Sequence, residues 1–154
     1  MTTEERAVAL LKECGMTIST AESCTGGLLA GRIINVSGAS DVINVGFVTY
    51  ANEAKMKYLG VSEDTLKDHG AVSPECAYEM ADGVTKQMNA DVGLSTTGIA
   101  GPDGGTCEKP VGLVYVGCSV RGAVKVKELR LSGTRDEIRN RTVEEALSFL
   151  LECL

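Results

Sequence analysis

Between Thr2 and Cys14 the apolar positions Ala7, Leu10, Leu11 and Cys14 recur at helical spacing and share one face. Thr2 and Glu5 stand at the spacing of a capping box, and Gly15 supplies the stop. Met16 to Ala21 is short and rich in β-branched residues, which predicts a strand. Helical spacing resumes from Cys24, with Leu29, Ile33 and Val36 on one side. Val42 to Tyr50 is a second, mostly apolar strand, patterned for cover on both faces. Short helices are predicted over Asn52 to Leu59 and from Ser62 onward. Ser73-Pro74-Glu75 opens a longer helix with a capping hydroxyl, a proline at the first helical position and an acid in the first turn. Its buried stripe is Ala77, Met80, Ala81, Val84 and Met88.

Asp91 to Thr97 predicts the next central strand, which runs into a glycine-rich loop from Gly98 to Gly105. Val111 to Val120 and Val124 to Leu131 predict two strands joined as a hairpin at Arg121-Gly122. Lys125 and Lys127 alternate with Val124 and Val126, which suits a half-exposed edge. A final helix is capped by Thr134 and Glu137 and carries Val143, Leu147, Leu150 and Leu154 on its apolar face. Helices alternating with strands and ending in a hairpin predict a single α/β domain over residues 1–154. The expected architecture is a three-layer α/β/α sandwich with a mixed, mainly parallel sheet.

Composition narrows the function classes. Aromatic residues make up 4% of the chain and there is no Trp, so no platform for stacking bases is present. A net charge of −6 also argues against a phosphate-backbone footprint, and no nucleic-acid partner is expected. No apolar run reaches the length of a membrane span, and the acidic N-terminus is unlike a signal peptide, so a cytoplasmic protein with no membrane partner is expected. The six cysteines are scattered without a C-x-x-C pair, and reduced thiols are expected. One histidine and no paired cysteines make a poor metal set.

Ligands of open α/β sheets collect at the carboxyl ends of strands. Three segments follow predicted strands: Ala21–Gly27 (AESCTGG), Val48–Lys55 (VTYANEAK) and Thr96–Gly105 (TTGIAGPDGG). In the first, Ser23 stands at a strand-to-helix turn, where unpaired first-turn amides could hold an oxyanion or a phosphate. A plain N-cap role for Ser23 or Thr25 accounts for the same pattern, and Cys24 is a rival nucleophile. The base could be His69, the only histidine, or Lys55, whose charge would have to be suppressed by desolvation; Tyr50 could relay a proton. The loop from Gly98 to Gly105 lacks both P-loop and dinucleotide spacing. Arg135, at the start of the last helix, is a candidate clamp for a carboxylate or phosphate.

Taken in order, AESCTGG, GFVTYANEAK, LGV, HGAVSPE, TTGIAGPDGG and KPVG resemble the CinA C-terminal domain family through nearly the whole chain. The resemblance implies the same α/β/α sandwich and an amidohydrolase that converts nicotinamide mononucleotide to nicotinate mononucleotide and ammonia, with no metal or organic cofactor. By the same resemblance Ser23 is the nucleophile, Lys55 the base and Tyr50 the assisting hydroxyl. Cys24, Thr25, Gly26, Thr97, Gly98, Gly101 and Arg135 are the expected substrate-binding positions. A pyridine nucleotide is the expected small-molecule partner, and a homo-oligomer of the stand-alone form is expected. Ala51 departs from a serine common after the tyrosine. A nucleotide-binding regulatory module without turnover is the alternative.

Overall fold

In the computed structural model, which describes residues 1–154, the chain alternates helix and strand before closing with a hairpin and a long helix. The elements are α1 (Thr3–Cys14), β1 (Ile18–Glu22), α2 (Leu28–Ile34), a single 3-10 turn (Ala39–Asp41), β2 (Ile43–Val48), α3 (Asn52–Leu59), α4 (Glu63–His69), α5 (Pro74–Met88), β3 (Val92–Gly98), β4 (Leu113–Val120), β5 (Ala123–Arg130) and α6 (Arg135–Cys153). The capping boxes of α1 and α6 form as their spacing predicts, and Ser73 caps α5 by accepting from the Cys76 amide.

The sheet has strand order β2-β1-β3-β4-β5, with β1 parallel to both β2 and β3 and the last two pairings antiparallel. Glu22 pairs with Val48 and with Thr96, so the carboxyl ends of β1, β2 and β3 share one edge. The hairpin turns at Arg121 and Gly122, both at positive φ. Helices α1, α2 and α6 cover one face over a core that includes Leu11, Leu29, Ile33, Leu94, Val116 and Leu147. The other face carries α5, flanked by α3 and α4, over Ala21, Leu59, Val61, Cys76, Met80 and Val84. Helix α5 lies close because the strands beneath it are stripped to glycine. A Cβ on Gly93 would fall 2.3 Å from the Ala81 carbonyl oxygen, and one on Gly117 would fall 2.4 Å from that of Ala77. This close seating fixes the start of α5 and the Ala71–Val72 segment before it against the sheet edge. No helix is long and apolar enough to cross a membrane.

Two expectations are corrected. Helix α2 begins at Leu28, not Cys24: Gly26 and Gly27 adopt φ of 56° and 102°, a left-handed backbone that no α-helix continues through. Residues 23–27 therefore form a turn. Strand β2 is not covered on both faces; it is the outer strand of the sheet, and after the buried Ile43 it alternates between exposed and half-buried positions, with Val48 on the surface. Its apolar residues gave no sign of being at the edge, because strand order is a property of the assembled sheet.

Candidate active site

Parallel pairing brings the three loops together around a cavity of about 190 Å³. Of the positions singled out in the sequence, Ser23, Cys24, Tyr50, Lys55, Thr97, Gly98 and Arg135 line it. Asn52, Ala71, Val72 and Ala100 join them. Asn52 was visible in VTYANEAK as a polar side chain in the first turn of a helix, but nothing local marked its direction.

The centre of the cavity is a lysine that is only 1% exposed. Lys55 Nζ lies 3.0 Å from Ser23 Oγ, 2.8 Å from the Thr49 carbonyl and 3.1 Å from the Tyr50 carbonyl. Those two carbonyls can only accept. A neutral amine would give them its two N–H groups and turn its lone pair to the Ser23 hydroxyl. Burial lowers the pKa of Lys55, because desolvation disfavours the ammonium. Negative charge on Cys76 or Cys24 would oppose this, but burial pushes those thiols up to about 11 and about 12, so neither is charged at neutral pH. Lys55 therefore lacks an anionic partner to restore its charge.

The turn after β1 is built around a carboxylate that the sequence reading passed over. Glu22 is fully buried; its Oε1 accepts from the Thr25 hydroxyl (2.5 Å) and from the amides of Gly27 (3.1 Å) and Leu29 (2.9 Å), and its Oε2 from Ala30 N (3.1 Å). The first-turn amides of α2, expected to hold an anionic ligand, are thus consumed by the chain's own carboxylate. The Thr25 hydroxyl also meets Thr96 Oγ1 at 2.7 Å. Gly26 N donates to the Ser23 carbonyl at 3.1 Å. Thr25 and Gly26 consequently lie behind the cavity and do not line it. The amides of Cys24 and Thr25 donate to no protein acceptor. Arg139, also unforeseen, donates from Nε to the Cys24 carbonyl (2.9 Å) and from Nη2 to the Thr25 carbonyl (3.1 Å). An arginine one turn into a capped helix carries no sequence signal for such a contact.

Tyr50 is 64% exposed at the cavity mouth. Its hydroxyl accepts from Arg135 Nη2 at 3.2 Å, and its carbonyl is the group that reaches Lys55. Arg135 Nη1 donates to the Gly101 carbonyl at 2.7 Å, and Thr97 Oγ1 donates to the Ala71 carbonyl at 2.8 Å. Gly101 thus supports Arg135 from outside the lining. His69 ends α4 and pairs with Glu75 at 3.6 Å, away from Ser23. No group of three or more His, Cys, Asp or Glu side chains is placed to hold a metal ion.

A family model described as the CinA C-terminal domain matches residues 1–154. A CinA-like protein of Kosmotoga olearia is 57% identical over 151 residues, covering 98% of this chain and 37% of the relative. A CinA-like protein of Dictyoglomus turgidum is 55% identical over 147 residues, covering 96% of this chain and 36% of the relative. The chain therefore spans little more than a third of these curated relatives. Among solved structures, the competence/damage inducible protein CihA from Agrobacterium tumefaciens superposes with a TM-score of 0.95 at 45% identity, over 97% of this chain and 92% of that one. A competence-damaged protein (CinA) superfamily protein from Escherichia coli gives a TM-score of 0.95 at 34% identity, over 99% and 88%.

Proposed function

This chain belongs to the CinA C-terminal domain family, and we propose that it hydrolyses the carboxamide of nicotinamide mononucleotide to nicotinate mononucleotide and ammonia. The observation that carries this reading is the 3.0 Å contact between Ser23 Oγ and a buried Lys55 that has no anionic partner. A serine becomes nucleophilic only beside a base, and a lysine becomes a base only when its ammonium is disfavoured.

In the proposed reaction, Ser23 Oγ attacks the carboxamide carbon and its proton passes to Lys55 Nζ. The free amide of Cys24, which lines the cavity beside Ser23, takes the developing oxyanion. Collapse of the tetrahedral intermediate breaks the C–N bond, Lys55 returns the proton to the nitrogen, and ammonia leaves an acyl-Ser23 ester. Water, deprotonated by Lys55, attacks the ester; the second collapse restores the Ser23 hydroxyl and releases the carboxylate. At about 190 Å³ the cavity falls below the roughly 300–1,000 Å³ of pockets that enclose a whole drug-sized ligand, so it takes the pyridine ring and its carboxamide. The ribose phosphate then lies at the mouth, where Arg135 is the cation within reach and Tyr50 its neighbour.

The test is ammonia release from nicotinamide mononucleotide by the purified protein beside its Ser23→Ala variant. Release that depends on Ser23 supports the reading. Equal release from both sinks it, and calorimetric binding of the mononucleotide without ammonia would assign a binding module in its place.

A further inference from the structure

The two free amides beside Ser23 owe their direction to groups on the far side of the chain. In a trans peptide the N–H and the preceding C=O point in opposite directions, so whatever grips the carbonyl aims the amide. The carbonyl paired with the Cys24 amide is that of Ser23, held by Gly26 N at 3.1 Å. The carbonyl paired with the Thr25 amide is that of Cys24, held by Arg139 Nε at 2.9 Å. Arg139 Nη2 grips the next carbonyl, Thr25, at 3.1 Å, together with Leu28 N at 3.0 Å. Every neighbouring amide is spent: Ser23 N on Thr96, Gly26 N on Ser23, Gly27 N on Glu22.

We propose that Arg139 is a positioning residue for the oxyanion hole: from behind the turn it holds the Cys24 and Thr25 carbonyls, and its grip on the second turns Gly26 N to the Ser23 carbonyl, which aims the free Cys24 amide at the cavity. The inference rests on Ser23 being the nucleophile. Arg139 does not line the cavity. Its planar fork spans adjacent carbonyls, which the single nitrogen of a lysine does not. The guanidinium also polarises the Thr25–Gly26 peptide, strengthening the bond from Gly26 N to the Ser23 carbonyl. Arg139 follows Arg135 by one helical turn, so α6 sets a cation at the cavity mouth and a second one beneath its floor. The backbone at Gly26 passes so near that a Cβ there would stand 3.1 Å from Arg139 Nη2, so the glycine makes room for the guanidinium.

The experiment follows covalent labelling of Ser23 by a fluorophosphonate, read by intact mass, in which Ser23 Oγ displaces fluoride at phosphorus and loses its proton to Lys55. This readout needs no substrate assignment. Arg139→Gln should label about 10- to 100-fold more slowly, below the loss expected for deleting a donor outright. Arg139→Lys should recover only part of the rate, and added guanidinium should restore Arg139→Ala. The pH at which labelling reaches half its maximum, set by Lys55, should not move in any of them. A general loosening of the fold would shift that midpoint and would not respond to guanidinium. Labelling of Arg139→Gln at the wild-type rate overturns the proposal; if that variant does not fold, failure of guanidinium to restore Arg139→Ala does so. A wild-type protein that labels no faster than Ser23→Ala removes the nucleophile reading itself, and this proposal with it.

Discussion

Replacing Lys55 with methionine tests the base directly, because methionine keeps most of the buried stem and removes only the titrating nitrogen. The nitrogen contacts Ser23 Oγ at 3.0 Å and two carbonyls, so in the proposed reaction its loss deletes proton transfer at both tetrahedral steps. A positioned general base contributes about 10²–10⁴-fold, so kcat/KM should fall by roughly 3–5 kcal/mol of transition-state stabilisation. The pH dependence separates this from mere repacking. A lysine at its ordinary value of 10.5 would be neutral in only about one molecule in 10³ at pH 7.5, and each unit of lowering multiplies that fraction tenfold. Desolvation lowers Lys55, so kcat/KM should rise tenfold per pH unit and level off below 10.5.

The sign for stability follows from the same shift. The unfolded chain binds the Lys55 proton up to 10.5 and the folded chain releases it earlier, so between the two values the unfolded state holds more protons. Stability therefore rises with pH across that window, and below the folded value the buried charge penalises folding in full. In Lys55→Met both the rising limb of kcat/KM and this gain in stability should vanish. Initial rates of ammonia release and urea midpoints, each taken from about pH 5 to 10, measure the two. A rising limb that survives in Lys55→Met, or a wild-type limb that climbs unbroken to 10.5, would refute the reasoning.

Cys24→Ala should leave ammonia release within a small factor of wild type, since a thiol pushed up to about 12 supplies almost no thiolate at neutral pH; iodoacetamide mapping should modify the exposed Cys14 and Cys107 before Cys24. Glu22→Gln turns one acceptor into a donor facing Thr25 and the α2 amides, and urea unfolding should register a loss of about 2–4 kcal/mol; an unchanged midpoint would contradict the role given to this carboxylate. Ala51 begins α3 in an extended conformation with no side-chain cap, so Ala51→Ser should add about 1 kcal/mol and raise Tm by roughly 2–4 °C in a thermal melt.

Local physics was legible in the chain itself. Caps at Thr2, Ser73 and Thr134, apolar spacing in α1, α5 and α6, and the Arg121-Gly122 turn each depend on residues a few positions apart, and the helices and hairpin formed where that spacing put them. The same reading drew attention to the three loops after parallel strands, because the carboxyl edge of such a sheet is where they converge. The partners across that edge were settled only by the fold. Lys55 and Ser23 are 32 residues apart, and that this lysine has lost its solvent is a consequence of α3 packing on α5. His69 looked eligible by chemistry and was excluded by position. Glu22 and Arg139 were missed because an acid after a strand and an arginine on a helix are ordinary in sequence. Their roles exist only once α2 and α6 meet the turn at Ser23. Sequence carries short-range preferences; burial, charge state and the direction of a free amide are set by what the tertiary structure places beside them.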